Sequence, residues 1–132
     1  MLARSRLTFA LAAIILIIAA FTLRWPALGL PWVIGKFGGA TLWGAMVYCV
    51  AALIILRAPR LAVFAFAAVT ALSVEFSQLI HWDWLDAIRR TTIGVILIGR
   101  YFSWGDVAAY LGGIGLAAVF DRLAIRPPDN RA

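Results

Sequence analysis

Hydrogen-bonding side chains are concentrated in one stretch of the sequence, EFSQLIHWDWLDAIRRTT, which runs from Glu75 to Thr92. Glu75 and Gln78 have the spacing that puts two residues on one face of a helix, which places a carboxylate beside an amide. The arginines and threonines that follow offer planar forks and hydroxyls suited to a phosphate or a carboxylate. The residues predicted to bind a ligand are Glu75, Gln78, Asp86, Arg89, Thr91 and Asp106.

These residues have distinct expected roles. Glu75 would order the pocket or accept a hydrogen bond from the ligand, and Arg89 would hold an anionic group. Asp106 would orient Arg89 or cap the last helix. The free N–H groups at the start of that helix, together with Arg90 and Arg100, would strengthen anion binding.

A purely structural role is the alternative for the same side chains. Glu75 and Gln78 could hydrogen-bond neighbouring helices and so fix the packing. Asp86 has arginines at i+3 and i+4, so a short interfacial helix over residues 83–90 would be internally satisfied. Its tryptophans would then anchor it at the level of the lipid head groups.

Metal binding and catalysis have weaker support in the sequence. His81 and the nearby carboxylates could bind a divalent cation, but there is one histidine and no H-E-x-x-H spacing. No G-x-S-x-G motif surrounds a serine, and the single Cys49 excludes an intramolecular disulfide and a CxxC site. We predict no metal and no cofactor, and a binding protein rather than an enzyme.

The composition places these side chains in a membrane protein. Of the 132 residues, 64% are hydrophobic and only 14% are charged, far from the balance of a soluble domain. The net charge of +6 comes largely from basic residues that flank apolar runs, where head groups and topology require them. We therefore expect membrane lipids as partners and no nucleic acid.

Four apolar runs are long enough to cross a bilayer as helices. The first is predicted to be a spanning helix rather than a signal peptide, since Arg24 and Pro26 follow it in place of a cleavage site. A short basic link at 57–60 predicts that the second and third form an antiparallel hairpin. The predicted spans, within a single integral membrane domain of residues 1–132, are about 7–23, 37–56, 61–80 and 104–123.

The predicted fold class is an all-α membrane protein, a four-transmembrane-helix bundle. Between helices 3 and 4 we expect the short interfacial helix and a re-entrant segment over Ile93 to Ile98. Ser103 and Asp106 form an S-x-x-D sequence that predicts a capping box at the start of helix 4. Small residues recur at every fourth position of that helix and predict close packing within or between chains. They are Gly105, Ala109, Gly113 and Ala117.

Basic residues predict the orientation in the membrane. With an even number of spans both termini lie on one side, and seven basic residues on that side against five opposite favour cytoplasmic termini. The seven are Arg4, Arg6, Arg57, Arg60, Arg122, Arg126 and Arg131, and the five are Arg24, Lys36, Arg89, Arg90 and Arg100.

The segment SQLIHWDWLDAIRRTTIGVILIGRYFSWGDVAAYLGG, with the hydrophobic helices before it, resembles the bacterial membrane-protein family of domain of unknown function 2809 (DUF2809). The matching features are Glu75, Gln78, Trp84-Leu85-Asp86, Arg89-x-Thr91-x-x-Gly94, Gly99, and Phe102-x-Trp104-x-Asp106-x-x-x-Tyr110 with Gly113. This resemblance implies a four-helix bacterial membrane protein with no established reaction. A more distant likeness to VanZ-like proteins, which are linked to glycopeptide antibiotic tolerance, implies a role with envelope lipids or glycans.

Together these features predict a small bacterial inner-membrane protein whose outer-face pocket binds or handles a lipid or a lipid-linked cell-envelope precursor. One alternative is a structural or accessory subunit of a membrane complex or homo-oligomer. Another is a component of a proton- or ion-coupled transporter with Glu75 as carrier. No inverted repeat supports transport, since only the third helix is predicted to carry an intramembrane acid. The sequence leaves the ligand and the oligomeric state open.

Overall fold

The described part of the protein contains six α-helices, one 3₁₀ turn, one π-helical turn and two very short strands. The computed structural model describes residues 2–97 and 102–126, so Ile98, Gly99, Arg100 and Arg131 of the predictions above lie outside the described residues. The elements are β1 (Leu2–Ala3), α1 (Arg6–Leu23), α2 (Gly39–Ile54), α3 (Arg60–Ser77), α4 (Asp83–Arg89), α5 (Thr92–Leu97), α6 (Trp104–Ala124) and β2 (Ile125–Arg126).

Four of these helices are long and apolar enough to cross a membrane, which confirms the predicted all-α membrane fold. They are α1, α2 with the turn that precedes it, α3 and α6, with bounds Arg6–Leu23, Ile34–Ile54, Arg60–Ser77 and Trp104–Ala124. The second helix begins earlier than expected, because Ile34–Gly38 forms a π-helical turn that runs directly into α2. Pro59 stands immediately before α3, as the hairpin prediction requires.

Helix α2 is the centre of the bundle and packs against α1, α3 and α6. Half of its apolar stretch is buried, against 17% to 22% in the other three spans. Small residues such as Ala51 and Ala52 leave room for the neighbouring backbones on this helix. The outward-facing leucines, isoleucines and valines of α1, α3 and α6 are exposed, as expected for surfaces that contact lipid tails.

The small-residue ribbon of α6 packs within the chain. A Cβ atom on Gly113 would overlap the Thr41 carbonyl of α2, and one on Gly44 would overlap the Tyr110 carbonyl of α6. Gly105 faces the ring of Phe37 in the same way. The two helices therefore approach closely because glycines from both sides meet the opposite backbone.

Neighbouring glycines of α6 provide a matched test of this packing. We expect Gly113→Ala to lower the free energy of unfolding by about 1–3 kcal/mol, because a backbone carbonyl must move aside. Gly112→Ala is expected to raise it by about 0.5–1 kcal/mol, since the helix loses a glycine and nothing lies within 4 Å of the new Cβ. Unfolding in mixed detergent micelles measures both. Equal effects of the two variants would contradict this packing.

The two ends of the described chain meet on one side of the bundle. β1 pairs in parallel with β2, with Leu2 opposite Ile125 and Ala3 opposite Arg126. The four spans thus run alternately up and down and return the chain to its starting side.

Candidate functional site

A pocket of about 400 Å³ lies at the end of the bundle opposite the paired strands. Its walls come from the end of α1, the α1–α2 connection, the start of α2, the residue after α3 and the first turns of α6. The polar side chains that line it are Arg24, Lys36, Gln78, Asp106 and Tyr110, and the tryptophans are Trp25, Trp32 and Trp43. This set of residues is called the pocket below.

The α1–α2 connection folds back over the bundle end because of its prolines and one glycine. Pro26 opens a single 3₁₀ turn that ends at Gly29, whose φ of 62° is in the left-handed region that favours glycine. Pro31 accepts the backbone hydrogen bonds that begin the next turn, Ile34–Gly38. That π-helical turn places Lys36 in the pocket wall, and such turns are frequent at functional sites.

Two cations in the pocket make no direct ion pair with a carboxylate of the described residues. Among residues 2–97 and 102–126, neither Arg24 nor Lys36 forms an ion pair. The Lys36 ammonium lies 5.1 Å from the ring centre of Trp32 and 5.4 Å from that of Phe37. The Arg24 guanidinium lies over Gly39, where a Cβ atom would come within 2.8 Å of its Nε. Aromatic rings therefore pack against the Lys36 ammonium, and the absence of a side chain at Gly39 leaves room for the Arg24 guanidinium.

Glu75 is fully buried behind the pocket, with 0% exposure, and joins α3 to α6. Its Oε1 accepts the backbone N–H of Ser103 at 2.8 Å, and its Oε2 accepts the Gln78 amide at 3.3 Å. The Tyr110 side chain also interacts with this carboxylate. Two hydrogen bonds and the interaction with Tyr110 thus converge on Glu75, and they hold Gln78 and Tyr110 in the pocket wall.

The predicted capping box at Ser103 does not form. Ser103 does occupy the position before α6, but its side chain makes no capping hydrogen bond. Its backbone N–H is bonded to Glu75 instead, which leaves Asp106 free to line the pocket. Trp43 and Tyr110 also line the pocket and contact each other, with ring centres 4.6 Å apart. The Trp43 indole N–H is buried without a hydrogen-bond partner among the described residues.

Arg89 lies apart from the pocket and is 2% exposed. It donates to the carbonyls of Ser77 at 2.5 Å and Ile80 at 2.8 Å, where α3 ends, and to Asp86 Oδ1 at 3.2 Å. Arg89 therefore satisfies the free carbonyls at the α3 C-terminus and holds its own short helix, α4, against the end of α3. Of its two neighbouring arginines in the prediction, Arg90 is exposed and Arg100 lies outside the described residues.

Thr91 and Asp86 also have local partners. The Thr91 hydroxyl donates to the Ile88 carbonyl at 2.7 Å and accepts the Gly94 N–H at 3.0 Å, so it links α4 to α5. Asp86 is partly exposed and lies 3.7 Å from the His81 imidazole. The structure thus places Gln78 and Asp106 in the pocket and Glu75 behind it, whereas Asp86, Arg89 and Thr91 gather around α4.

Sequence reasoning missed Arg24, Lys36 and Tyr110 as pocket residues. Arg24 and Lys36 were interpreted as topology determinants, although each has a tryptophan close by in sequence and a proline-rich segment lies between them. Among residues 2–97 and 102–126, no three histidine, cysteine or acidic side chains come together as ligands for a metal ion.

A second polar cluster, which the sequence did not reveal, lies at the opposite end of the bundle. Asp121 of α6 is fully buried, and both of its oxygens accept hydrogen bonds from Arg4. The Tyr48 hydroxyl donates to it at 2.6 Å, and Arg60 Nε lies 3.3 Å away. These four residues are called the chain-end network. The expectation that only the third helix carries an intramembrane acid is therefore wrong, because α6 buries Asp121.

The chain-end network also binds backbone groups. Arg60 donates to the carbonyl of Ile125 at 3.0 Å, and Arg4 donates to that of Leu56 at 3.4 Å. The Arg4 guanidinium lies 5.2 Å from the ring centre of Phe9. One buried carboxylate is thus shared by two arginines that also satisfy the ends of α2 and α6.

The fold and the two polar clusters define a multi-pass membrane protein with a helical bundle, one buried ionic network and a pocket at the opposite end. The chain belongs to the family described as "Protein of unknown function (DUF2809)", which matches it over residues 29–114. Lys36, Glu75, Gln78, Asp106 and Tyr110 lie inside the matched region, whereas Arg24 lies outside it. No solved structure matches this chain.

Proposed function

We propose that this chain is a small bacterial inner-membrane protein whose pocket binds the polar head group of a lipid or a lipid-linked cell-envelope precursor. The observation that carries the proposal is the pair of cations, Arg24 and Lys36, which line an accessible pocket and form no ion pair with the described residues. Cations that make no direct ion pair can attract the anionic group of a ligand, and arginine binds phosphate oxygens through two parallel hydrogen bonds.

The depth of the pocket supports a lipid head group as the ligand. It lies where α1 ends and α2 and α6 begin, which is the level of the membrane–water interface for spanning helices. Trp25 and Trp32, exposed at 63% and 70%, stand at its rim, and tryptophans are enriched at head-group level. The basic residues of the chain-end side support cytoplasmic termini and hence a pocket in the outer leaflet.

The test is the lipid retained by the purified protein. We expect wild type, extracted gently and examined by native mass spectrometry, to keep an anionic or phosphate-bearing lipid. Arg24→Gln with Lys36→Gln is expected to lower retention at least about tenfold, since each cation near a head group contributes about 1 kcal/mol.

A matched control removes two exposed arginines from the opposite side, Arg6→Gln with Arg57→Gln. This variant has the same net charge as the pocket variant, and we expect it to retain the lipid as wild type does. If both double variants lose lipid equally, general charge attraction explains retention and the pocket proposal fails.

The second candidate function is that of a structural or accessory subunit, alone or as a homo-oligomer. It is favoured by the burial of Glu75 and Arg89, whose side chains bond to neighbouring backbone and side-chain groups and so fix the packing. Under this alternative the pocket variants would leave lipid retention unchanged and alter the assembly that is co-purified from the membrane.

A further inference from the structure

The pocket contains both signs of charge, held apart from one another. Arg24 and Lys36 supply the positive charges and Asp106 supplies a carboxylate. Among residues 2–97 and 102–126, Asp106 makes no ion pair with either cation. It nevertheless interacts electrostatically with both of them. The three groups therefore lie within reach of one small ligand without neutralising each other by direct contact.

A simple anion does not complement this arrangement. Arg24 and Lys36 would attract its phosphate, but Asp106 would repel it and would lose contact with water when the ligand entered. A ligand that carries a donor cation a few atoms from its phosphate satisfies all three side chains, because the ammonium can face Asp106 while the phosphate faces the basic residues.

The type of ammonium follows from the same side chains. A primary ammonium has three N–H donors, and the carboxylate of Asp106 accepts such donors. A trimethylammonium group donates no hydrogen bond and is recognised by the open faces of aromatic rings. One face of Trp32 is already occupied by Lys36, whose ammonium is 5.1 Å from the ring centre. Asp106 therefore favours a primary ammonium, which donates hydrogen bonds, over a quaternary ammonium, which donates none.

We infer that the pocket selects a phosphate diester linked to a primary ammonium, which is the chemistry of a phosphoethanolamine head group. Asp106 is the residue that binds the ammonium. The inference rests on the proposed function and specifies its ligand. The same chemistry could reach the pocket as a membrane lipid or as a soluble glycerophosphoethanolamine.

The experiment uses the full chain in nanodiscs made of equal parts of phosphatidylethanolamine, phosphatidylglycerol and phosphatidylcholine, followed by native mass spectrometry of the released protein. We expect wild type to retain phosphatidylethanolamine over each of the other two. Asp106→Asn is expected to reduce that preference about tenfold, since a hydrogen bond to a charged group contributes about this factor or more. Asp106→Glu should keep the preference, which separates a charge effect from a folding effect.

Three outcomes decide the matter. Wild type could retain at least as much phosphatidylglycerol as phosphatidylethanolamine, with the same ratio of the two lipids in Asp106→Asn. That result overturns the inference and leaves the proposed function intact. If wild type retains as much phosphatidylcholine as phosphatidylethanolamine, the inference that Asp106 recognises the primary ammonium is overturned. No retained lipid in wild type overturns the inference and the proposed function together. Adding soluble glycerophosphoethanolamine identifies the source: displacement of the lipid indicates that the head group alone is recognised, and lack of displacement indicates a lipid ligand.

Discussion

Replacing Asp121 with asparagine is expected to lower the free energy of unfolding by about 3–5 kcal/mol, the cost of removing one partner from a buried ionic network. The substitution keeps the side-chain volume and leaves Arg4 buried without its negative partner. Unfolding in dodecyl maltoside micelles with increasing dodecyl sulfate, followed by the fluorescence of the six tryptophans, measures the effect.

Two further variants test whether the loss of stability comes from the chain-end network itself or from any change at this end of α6. Arg122→Ala removes the exposed neighbouring charge and should change stability by no more than about 0.5 kcal/mol. Combining Arg4→Met with Asp121→Asn removes both charges of the main pair and should recover much of the loss. If the double variant is no more stable than Asp121→Asn alone, the loss of stability does not arise from Arg4 being buried without its negative partner.

Arg89→Ala is the second variant with a large expected effect, a loss of about 3 kcal/mol or more. The Ser77 and Ile80 carbonyls lose the donor that satisfies the end of α3, and Asp86 loses its nearest cation. The same unfolding titration measures it. Arg90→Ala is the matched control, because this neighbouring arginine is exposed and should be nearly neutral.

Lipid retention adds a second readout to the Arg89 experiment. The sequence alone predicts that Arg89 holds an anionic ligand, in which case the alanine variant stays folded and loses its lipid. The structure leads us to expect the reverse pattern, since the Arg89 guanidinium is occupied by its own chain and lies outside the pocket. An Arg89→Ala variant that unfolds normally and retains no lipid would instead support the ligand-binding role that the sequence predicts for Arg89.

The fold was predictable because its main signals are local. Apolar runs of spanning length, the basic link with Pro59 and the small residues of α6 each determine structure within one helix or between adjacent helices. The short helix α4 was predictable for the same reason, since Asp86 and Arg89 are spaced to pair within it. The largest differences are at the start of α2, where the π-helical turn begins the helix at Ile34, and at the end of α3, which stops at Ser77 rather than near residue 80.

The pocket was only partly predictable because it joins distant parts of the chain. Glu75, Gln78 and Asp106 stood out as polar residues in or near apolar runs, and Gln78 and Asp106 do line the pocket. Arg24 and Lys36 carry no such signal, since basic residues at the ends of spans are expected in any membrane protein. Their positions in the pocket wall depend on the path of the α1–α2 connection.

Asp121 illustrates the same limit at the opposite end. Its partners Arg4, Tyr48 and Arg60 come from three other parts of the chain, and no spacing rule connects them with α6. A carboxylate near the end of a span is also readily interpreted as an ordinary interfacial charge. Packing of all four helices is needed to bury it.

The bond between Arg4 and Asp121 has a consequence for biogenesis, because it spans 117 positions of the chain. During synthesis the first helix enters the membrane long before its counter-ion has been translated. Arg4 and Arg60 therefore lack their carboxylate partner until α6 has been synthesised, so the chain-end network forms after the first three spanning helices have been made. A chain truncated before Asp121 retains the first three spanning helices but lacks the carboxylate that the chain-end network requires.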